Sequence, residues 1–545
     1  MRYCDIGMND GRGCFMKNEI FDVAIVGYGP AGKLLAALLG QKGWKVGVYE
    51  RFPEPFSLPR AVHYDHEVAR ILQTVIPTID IETISERVQD MYEWCNADHQ
   101  ALLKLDWSEF GISGWPRDMF FNQPELERKM DISCKSLSTV SINLGYEAVG
   151  LSEYQDRVDL IVKDFQGVQT KVTARYVVGC DGSNSFVRKQ MDHTVTDLGF
   201  QSDWLVVDII PKVEREWKPS NLQLCDPARP TTVVSGGPGR RRWEFMVLPD
   251  ETKEELNHEE VAWRLLEPWN ISADNAILER HAVYTFRAMW VDDWRKGRLM
   301  LAGDAAHLTP PFMGQGLCSG LRDSKNLAWK LDLVLRGVAD EAILDTYTTE
   351  RKPHTQAVIE AALFLGKMIC VTDPEAAKER DEAFLTGKAP EFPEFPNMTD
   401  GILYKNDEAA SESHAGRLSL QSEVNYKGVT SLLDDAVGQG WKILSFLDDA
   451  SRFLGDGQIE FMEQLGTRFI TIIPNQEIGR DAVVDVKGKY RQFFDETGFK
   501  AVIVRPDFYI FGAVSSFDRL PILIDDLSRQ IKLNRKTDNS RYITQ

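Results

Sequence analysis

Apolar residues are arranged in two rhythms along the chain. Phe21–Val26 (FDVAIV) is a continuous apolar run of strand length, as expected for a strand buried on both faces. A glycine-rich turn follows over 27–32, then a helical stretch rich in Ala and Leu over 30–43. A second apolar run at 45–49 ends in Glu50. Strand, turn, helix and strand make a βαβ unit, which predicts a parallel sheet. From 197 to 284 the rhythm changes to strands separated by turn residues, among them 204–210, 231–235 and 243–248. These predict an antiparallel sheet inserted into the nucleotide-binding domain, a natural wall for a substrate pocket. An apolar strand returns at 298–302, followed by a long helix over 316–335. The three prolines of 387–397 mark an exposed connection. Beyond 413, strands at 441–446, 469–474, 501–505 and 509–514 alternate with helical segments, as in a small separate α/β domain.

At 545 residues the chain is too long for one hydrophobic core, so two or three domains are expected. The net charge of -19 opposes nucleic acid and anionic membranes as partners. The most apolar stretch, 23–39, is broken by glycines, a proline and Lys33, so a membrane span is not expected. Residues 1–20 read as a leader without the apolar block of a signal peptide. The 8 cysteines show no CxxC spacing, which argues against a dithiol redox centre and a thiolate metal site. Reduced thiols in the cytoplasm are the simplest reading.

Three motifs carry the chemistry. Gly27-Tyr28-Gly29-Pro30-Ala31-Gly32 is a GxGxxG turn between a strand and a helix. Gly27 permits the tight turn, Gly29 admits a pyrophosphate, and Gly32 lets helix and strand pack closely. The helix start offers free N–H groups to phosphate, and Glu50, with Arg51 after it, stands where a ribose-binding carboxylate is needed. The second motif, Val177 to Ser183, is a strand ending in Asp181-Gly182. The third, Gly297 to His307, is a strand ending in Gly303-Asp304.

In this order the three resemble the signatures of the para-hydroxybenzoate hydroxylase type of class A FAD-dependent aromatic hydroxylase. The strings RAVHYDHEVARILQ from Arg60, RRWEFMVLPDE from Arg241 and PPFMGQGLCSGLRDSKNLAWKL from Pro310 look most like 3-(3-hydroxyphenyl)propionate hydroxylases and related resorcinol-type hydroxylases. The likeness covers roughly 21–361. It implies an α/β fold with a Rossmann-like FAD-binding domain, an inserted antiparallel β-sheet substrate domain and a C-terminal thioredoxin-like domain lacking CxxC. The corresponding division is a leader over 1–20, the FAD-binding domain over 21–196 and 291–386, the substrate domain over 197–290, a linker over 387–412 and the tail over 413–545. Arg505-Pro506-Asp507 matches a recurring stretch of that tail, but relatives often place Gly next where this chain has Phe508.

By the same resemblance Asp304 holds the ribityl chain of FAD, and the turn containing Pro311, Gly314, Gly316 and Leu317 lies along the flavin ring. Asp181 is associated with FAD and nicotinamide, and Arg60 and Gln123 match positions that touch FAD. The implied reaction is hydroxylation of a phenolic aromatic substrate with NADH or NADPH and O2, through a flavin C4a-hydroperoxide. No metal is required, and no catalytic residue is identified by the motifs. His307 reads as a packed turn residue rather than a proton carrier. His63, Trp243, Phe245 and Pro311 are candidates for lining the substrate, with Tyr64 beside His63. Arg240, Arg241 and Arg242 alternate across a strand, so at most two could meet a substrate carboxylate; a solvated run is the plainer expectation. A single dinucleotide fingerprint without CxxC argues against a disulfide reductase, and a WxWxIP string, needed for a flavin halogenase, is absent. Oxidation of a heterocyclic or antibiotic-like ring, and a non-catalytic flavin-binding interaction protein, remain as rival readings. The assembly expected, if any, is a homodimer.

Overall fold

The computed structural model describes residues 20–54, 58–405, 414–474 and 482–532. Of the leader only Ile20 falls within them, and residues 406–412 of the linker lie outside the described residues.

Phe21–Val26 is the centre of the first sheet. It pairs in parallel with Val46–Glu50 on one side and with the end of Gln169–Gly179 on the other. Val140–Leu144 and Leu299–Leu301 extend the parallel order on either side. Val23, Ala24 and Ile25 are wholly buried because both sheet faces are covered, which is why the strand has no polar alternation. Helices Pro30–Gln41 and Gly316–Leu335 pack against each other on this sheet. The carboxyl ends of neighbouring strands thus deliver the 27–32 turn, Asp181 and Asp304 to one crevice, where ligands of parallel α/β sheets bind.

The second sheet has eight strands, in the order His307–Leu308, Ala276–Val291, Val195–Pro211, Arg241–Met246, Thr231–Ser235, Asn221–Leu224, Met91–Cys95 and Ala101–Asp106. The expected sheet over 197–290 is therefore extended by two strands from early in the chain and one from after it. Asn221–Leu224 runs parallel to Met91–Cys95, so the sheet is mixed rather than antiparallel throughout. Alternation in sequence reveals a strand but not a partner so distant along the chain. One face, with Leu205, Val207, Trp243 and Phe245, packs under the helical segment 253–266. The opposite face carries Trp94, Trp204, Val234 and Met246 towards the turn at Phe312 and Met313.

A third sheet of seven strands forms the C-terminal unit. Val483–Asp485, Arg468–Pro474 and Lys442–Phe446 are parallel, followed by the antiparallel Ala501–Val504 and Ile510–Val514. Its seam with the rest of the protein is buried and ionic. Arg505 meets Glu350 at 2.6 Å and Asp507 at 2.7 Å, Lys330 meets Glu350 at 2.7 Å, and the Asn326 amide and Trp329 indole donate to Asp507. Phe508, where relatives often have Gly, has φ 73°, in the left-handed region that glycine adopts without strain. Its buried ring lies against Arg70 and Lys325, 4.2 and 4.7 Å from the ring centre, and this packing opposes the backbone cost.

Removing one partner from a buried network strands the other charges. Arg505→Met is expected to cost about 3 kcal/mol or more of unfolding free energy and to lower Tm. Arg452→Met, which removes an exposed pair at 3.9 Å, should leave Tm unchanged. Equal thermal shifts for the two variants would contradict this account of the seam.

Candidate functional site

A cleft of about 470 Å³ opens at the carboxyl ends of the parallel strands. It is lined by Gly27, Gly29, Pro30, Glu50, Arg51, Arg60, Gln123, Asp181 and Asp304, which the structure brings together from six separate stretches of chain. Ala31 and Gly32 lie just behind, in the first turn of the helix. Gly27 takes φ +101°, and a Cβ there would stand 2.3 Å from the Cys180 carbonyl oxygen. A Cβ on Gly32 would be 2.2 Å from the Gly27 oxygen, whereas one on Gly29 would meet no protein atom within 4 Å. The two outer glycines are therefore needed for packing, and the middle one leaves an open approach to the helix start. That start has Gly29 as its N-cap, Pro30 in its first turn and no capping side chain, so its N–H groups face the cleft. Glu50 accepts the Tyr28 N–H at 2.9 Å and the Phe52 N–H at 3.0 Å, which fixes its carboxylate on the wall.

Three buried side chains brace this turn, and of these Lys33 is not among the residues the motifs point to. Lys33 donates to the Tyr28 carbonyl at 2.7 Å and to Glu127 at 2.6 Å. Gln123 donates to Glu127, and its Oε1 accepts the Arg60 and Ala61 N–H groups at 2.9 and 2.7 Å. Arg242 holds the same loop from the other domain through the Pro59 and Arg60 carbonyls. A lysine inside an apolar helical run was the available sequence signal for the first of these.

Asp304 opens into the cleft, where enclosure by the walls pushes its carboxyl up against the pull of His307, Arg60 and Arg188. Gly303, beside it, takes φ +62° in close approach to Ala31. Asp181 lies on the cleft wall, but its carboxylate accepts the Phe186 and Val187 N–H groups at 2.6 and 3.1 Å, capping the short helix that follows. Burial pushes this carboxyl up as well. His307 is turned away from the cleft. Its Nε2 meets Asp323 at 2.7 Å and its ring leans on Trp294, as expected of a packed turn residue.

Pro311, Gly314, Gly316 and Leu317 are not on the walls of this cleft. They form the turn and helix start that separate it from the second sheet. Phe312 seats against Gly366, where a Cβ would be 2.6 Å from its ring, and faces Trp204 at 6.0 Å. Gly314, at φ +63°, sits on His63, whose Nδ1 would be 2.7 Å from a Cβ there. The helix starting at Gly316 has no side-chain cap, leaving its N–H groups and positive dipole end at the turn. Tyr64 is wholly buried against Phe121 and bonded to Ser85.

Two expectations are corrected. Trp243 and Phe245 do not face the turn. With Trp217 and Trp269 they fill the core on the far side of the sheet, and strand alternation places Arg242, Glu244 and Met246 on the near side instead. Nor are the three arginines a solvated run. Arg240 pairs with Glu279, but Arg241 and Arg242 are buried. Arg242 is met by Asp208 across the strand at 2.6 Å; Arg241 lies 4.8 Å from the Trp217 ring centre, and burial lowers it to about 9.

The residues present suit a flavin dinucleotide: an open glycine for pyrophosphate, an uncapped helix end, a fixed carboxylate for ribose and a second carboxylate, Asp304, on the cleft wall. Among the described residues no cluster suited to a metal ion is found, and no single helix is long and apolar enough to cross a membrane.

Comparison with known proteins agrees with this geometry. Residues 21–362 match the family model described as FAD binding domain, and residues 416–530 match the HcaD C-terminal domain. The chain is 35% identical over 512 residues to a probable NADH-specific resorcinol 4-hydroxylase of Rhodococcus jostii, covering 93% of this chain and 94% of that one. It is 33% identical over 517 residues to a 3-(3-hydroxy-phenyl)propionate/3-hydroxycinnamic acid hydroxylase of Escherichia coli, covering 90% and 92% of the two chains. The fold resembles the flavin-dependent monooxygenase PieE, with a TM-score of 0.78 at 18% identity over 94% of this chain and 99% of that one. It also resembles aklavinone-11 hydroxylase, with a TM-score of 0.73 at 21% identity and the same coverage.

The glycines separate folding from cofactor binding. Gly29→Ala should keep the wild-type Tm of the cofactor-free protein while weakening FAD binding roughly tenfold or more, about 1.4 kcal/mol. Gly32→Ala should lower the Tm of the cofactor-free protein itself. Calorimetry of stripped protein and FAD titration by flavin fluorescence test both; unchanged FAD affinity in Gly29→Ala would contradict the placement of the pyrophosphate.

Proposed function

The chain belongs to the FAD-binding-domain family of flavin-dependent aromatic hydroxylases, and from that premise we propose that it hydroxylates a phenolic ring of the resorcinol or 3-hydroxyphenylpropionate kind, with NADH as reductant. FAD, when bound, supplies the chemistry of accepting a hydride from the nicotinamide and activating O2. The observation that carries the substrate reading is the aromatic lining between the Pro311–Met313 turn and the near face of the second sheet. There Trp204, Phe312, Phe286, Trp107 and Phe120 belong to one apolar cluster, whose chemistry suits a flat ring held against the turn and away from water. The NADH preference and the two ring classes follow the named relatives.

In this reading the start of the Pro30–Gln41 helix and Gly29 hold the pyrophosphate, Glu50 holds the adenosine ribose and Asp304 holds the ribityl chain. Arg60, placed by Gln123 and Arg242, and Asp181 line the middle of the cleft. The uncapped start of the Gly316–Leu335 helix stabilises negative charge at the flavin ring edge. The second sheet acts as the substrate wall inserted in a Rossmann-like domain. The tail is read as a thioredoxin-like unit without redox function, supported by its three parallel strands flanked by antiparallel ones and by the absence of cysteine from 413–545. The cysteines among the described residues are free, in keeping with a cytoplasmic location.

Arg280 favours the acidic member of the two ring classes. It is buried on the near face, its Nε and Nη1 lack a hydrogen-bond partner among the described residues, and Asp208 lies 3.7 Å away. A substrate carboxylate would satisfy those donors.

NADH oxidation by the FAD-loaded protein should rise at least about tenfold over background when a ring of the right class is added. A panel of resorcinol, 3-hydroxyphenylpropionate, simple phenols and heterocycles tests this. Arg280→Met should raise KM for 3-hydroxyphenylpropionate more than for resorcinol. Stimulation by heterocycles alone would overturn the phenol reading, and equal KM effects would overturn the role of Arg280.

A further inference from the structure

We propose that His63 and Asp118 form the acid–base pair that takes the proton from the substrate's phenol hydroxyl, an inference that rests on the phenolic reading above. His63 is on the short strand His63–Asp65 and Asp118 on its antiparallel neighbour Asp118–Phe121, the central strand of a separate three-stranded sheet. Both side chains are buried. His63 Nε2 lies 2.8 Å from Asp118 Oδ1. An ionised carboxylate can only accept, so Nε2 carries the hydrogen and Nδ1 is left as the basic nitrogen of the neutral ring. Nδ1 makes no hydrogen bond of ordinary geometry among the described residues and faces the Gly314 backbone, which makes the ring more basic. The imidazole stands 5.4 Å from the Trp107 ring and 5.7 Å from the Phe120 ring, inside the aromatic lining. A proton acceptor oriented by a carboxylate therefore stands where the flavin turn meets the aromatic lining.

In the proposed step the phenol O–H bond breaks and an Nδ1–H bond forms, while the electron pair stays on the phenolate oxygen. The ring becomes more electron-rich at its ortho and para carbons, as attack on an electrophilic oxygen demands. The imidazolium is held by Asp118, and its proton returns to the product oxygen on release.

The electrostatic setting gives this step a pH signature. Burial pulls the His63 imidazole down, but the hydrogen bond and charge of Asp118, with the charge of Asp65 and the Gly314 backbone, outweigh burial and hold it above its ordinary value of 6.5. The other groups near it do not substitute. Asp65 is bonded to Arg322 and Gln315, Arg117 reaches Asp118 only at 3.9 Å from an exposed position, burial lowers His66, and the Cys318 thiol, itself pushed up by burial, points at the His63 and Gly314 carbonyls. The accepting, neutral form of His63 prevails only above its raised value. Turnover of a phenol therefore falls as pH drops through that value, and removing the Asp118 charge moves the fall to lower pH.

The test uses full-length FAD-loaded protein, resorcinol and 3-hydroxyphenylpropionate as substrates, and 3-nitrophenol as a binding probe whose ionised form absorbs visible light. The wild type should bind the probe ionised at a pH below the probe's own pKa. His63→Gln should bind it un-ionised and lose roughly a hundredfold in kcat. Asp118→Asn should fold and turn over with its acid limb shifted to lower pH, which a merely structural clamp would not produce. An ionised probe in His63→Gln, or an unmoved limb in Asp118→Asn with phenols still hydroxylated, overturns the pair while leaving the phenol reading intact. Failure of every phenol to bind or to stimulate NADH oxidation overturns both.

Discussion

Asp323 is the contact on which the architecture of the cleft depends. This wholly buried carboxylate accepts the Gly303 N–H at 3.0 Å, meets His307 Nε2 at 2.7 Å and accepts the Arg351 Nε–H at 3.0 Å. Burial raises the cost of its charge, and His307, Arg351 and the Gly303 N–H outweigh that cost and hold its carboxyl below the usual range. Gly303 is the left-handed residue that presents Asp304 to the cleft, so the position of Asp304 is set by a group that is not on the cleft wall. Such a carboxylate stabilises one geometry because each alternative leaves it buried and unpaired.

The same helix, Gly316–Leu335, carries this logic along its length. Its start lies at the Pro311–Met313 turn, and along its first turns Arg322 meets Asp65 and Glu67, both at 2.6 Å. One residue further on is Asp323, and beyond it Asn326, Trp329 and Lys330 engage the seam with the C-terminal unit. A rigid rod thus links the Pro311–Met313 turn to a domain that contributes none of the described residues lining the cleft. The tail's place in the enzyme is consistent with support of this rod.

What was legible in the sequence was what is local. The GxGxxG turn, the strand endings at Asp181 and Asp304, and most strand centres are marked by glycine spacing and apolar runs, which depend on neighbouring residues only. What was not legible depends on pairing across the chain. Alternation around Trp243 shows two faces but cannot say which one meets the flavin domain. The arginine run reads as solvated until Asp208, on an adjacent strand, compensates Arg242. Lys33 with Glu127, His63 with Asp118, and Asp323 with His307 and Arg351 are pairs whose members are ordinary alone and informative only when brought together. The parallel pairing of Asn221–Leu224 with Met91–Cys95 is hidden for the same reason.

This cleft and the aromatic cluster beside it are expected to insert one atom of molecular oxygen into a phenolic ring. Turnover of the FAD-loaded protein with NADH and a stimulating phenol under ¹⁸O₂, followed by mass spectrometry of the product, tests it most directly. The account predicts a hydroxylated product that carries one ¹⁸O atom and retains the original phenol oxygen. A product without label, or NADH consumed entirely to hydrogen peroxide across the panel, would contradict it.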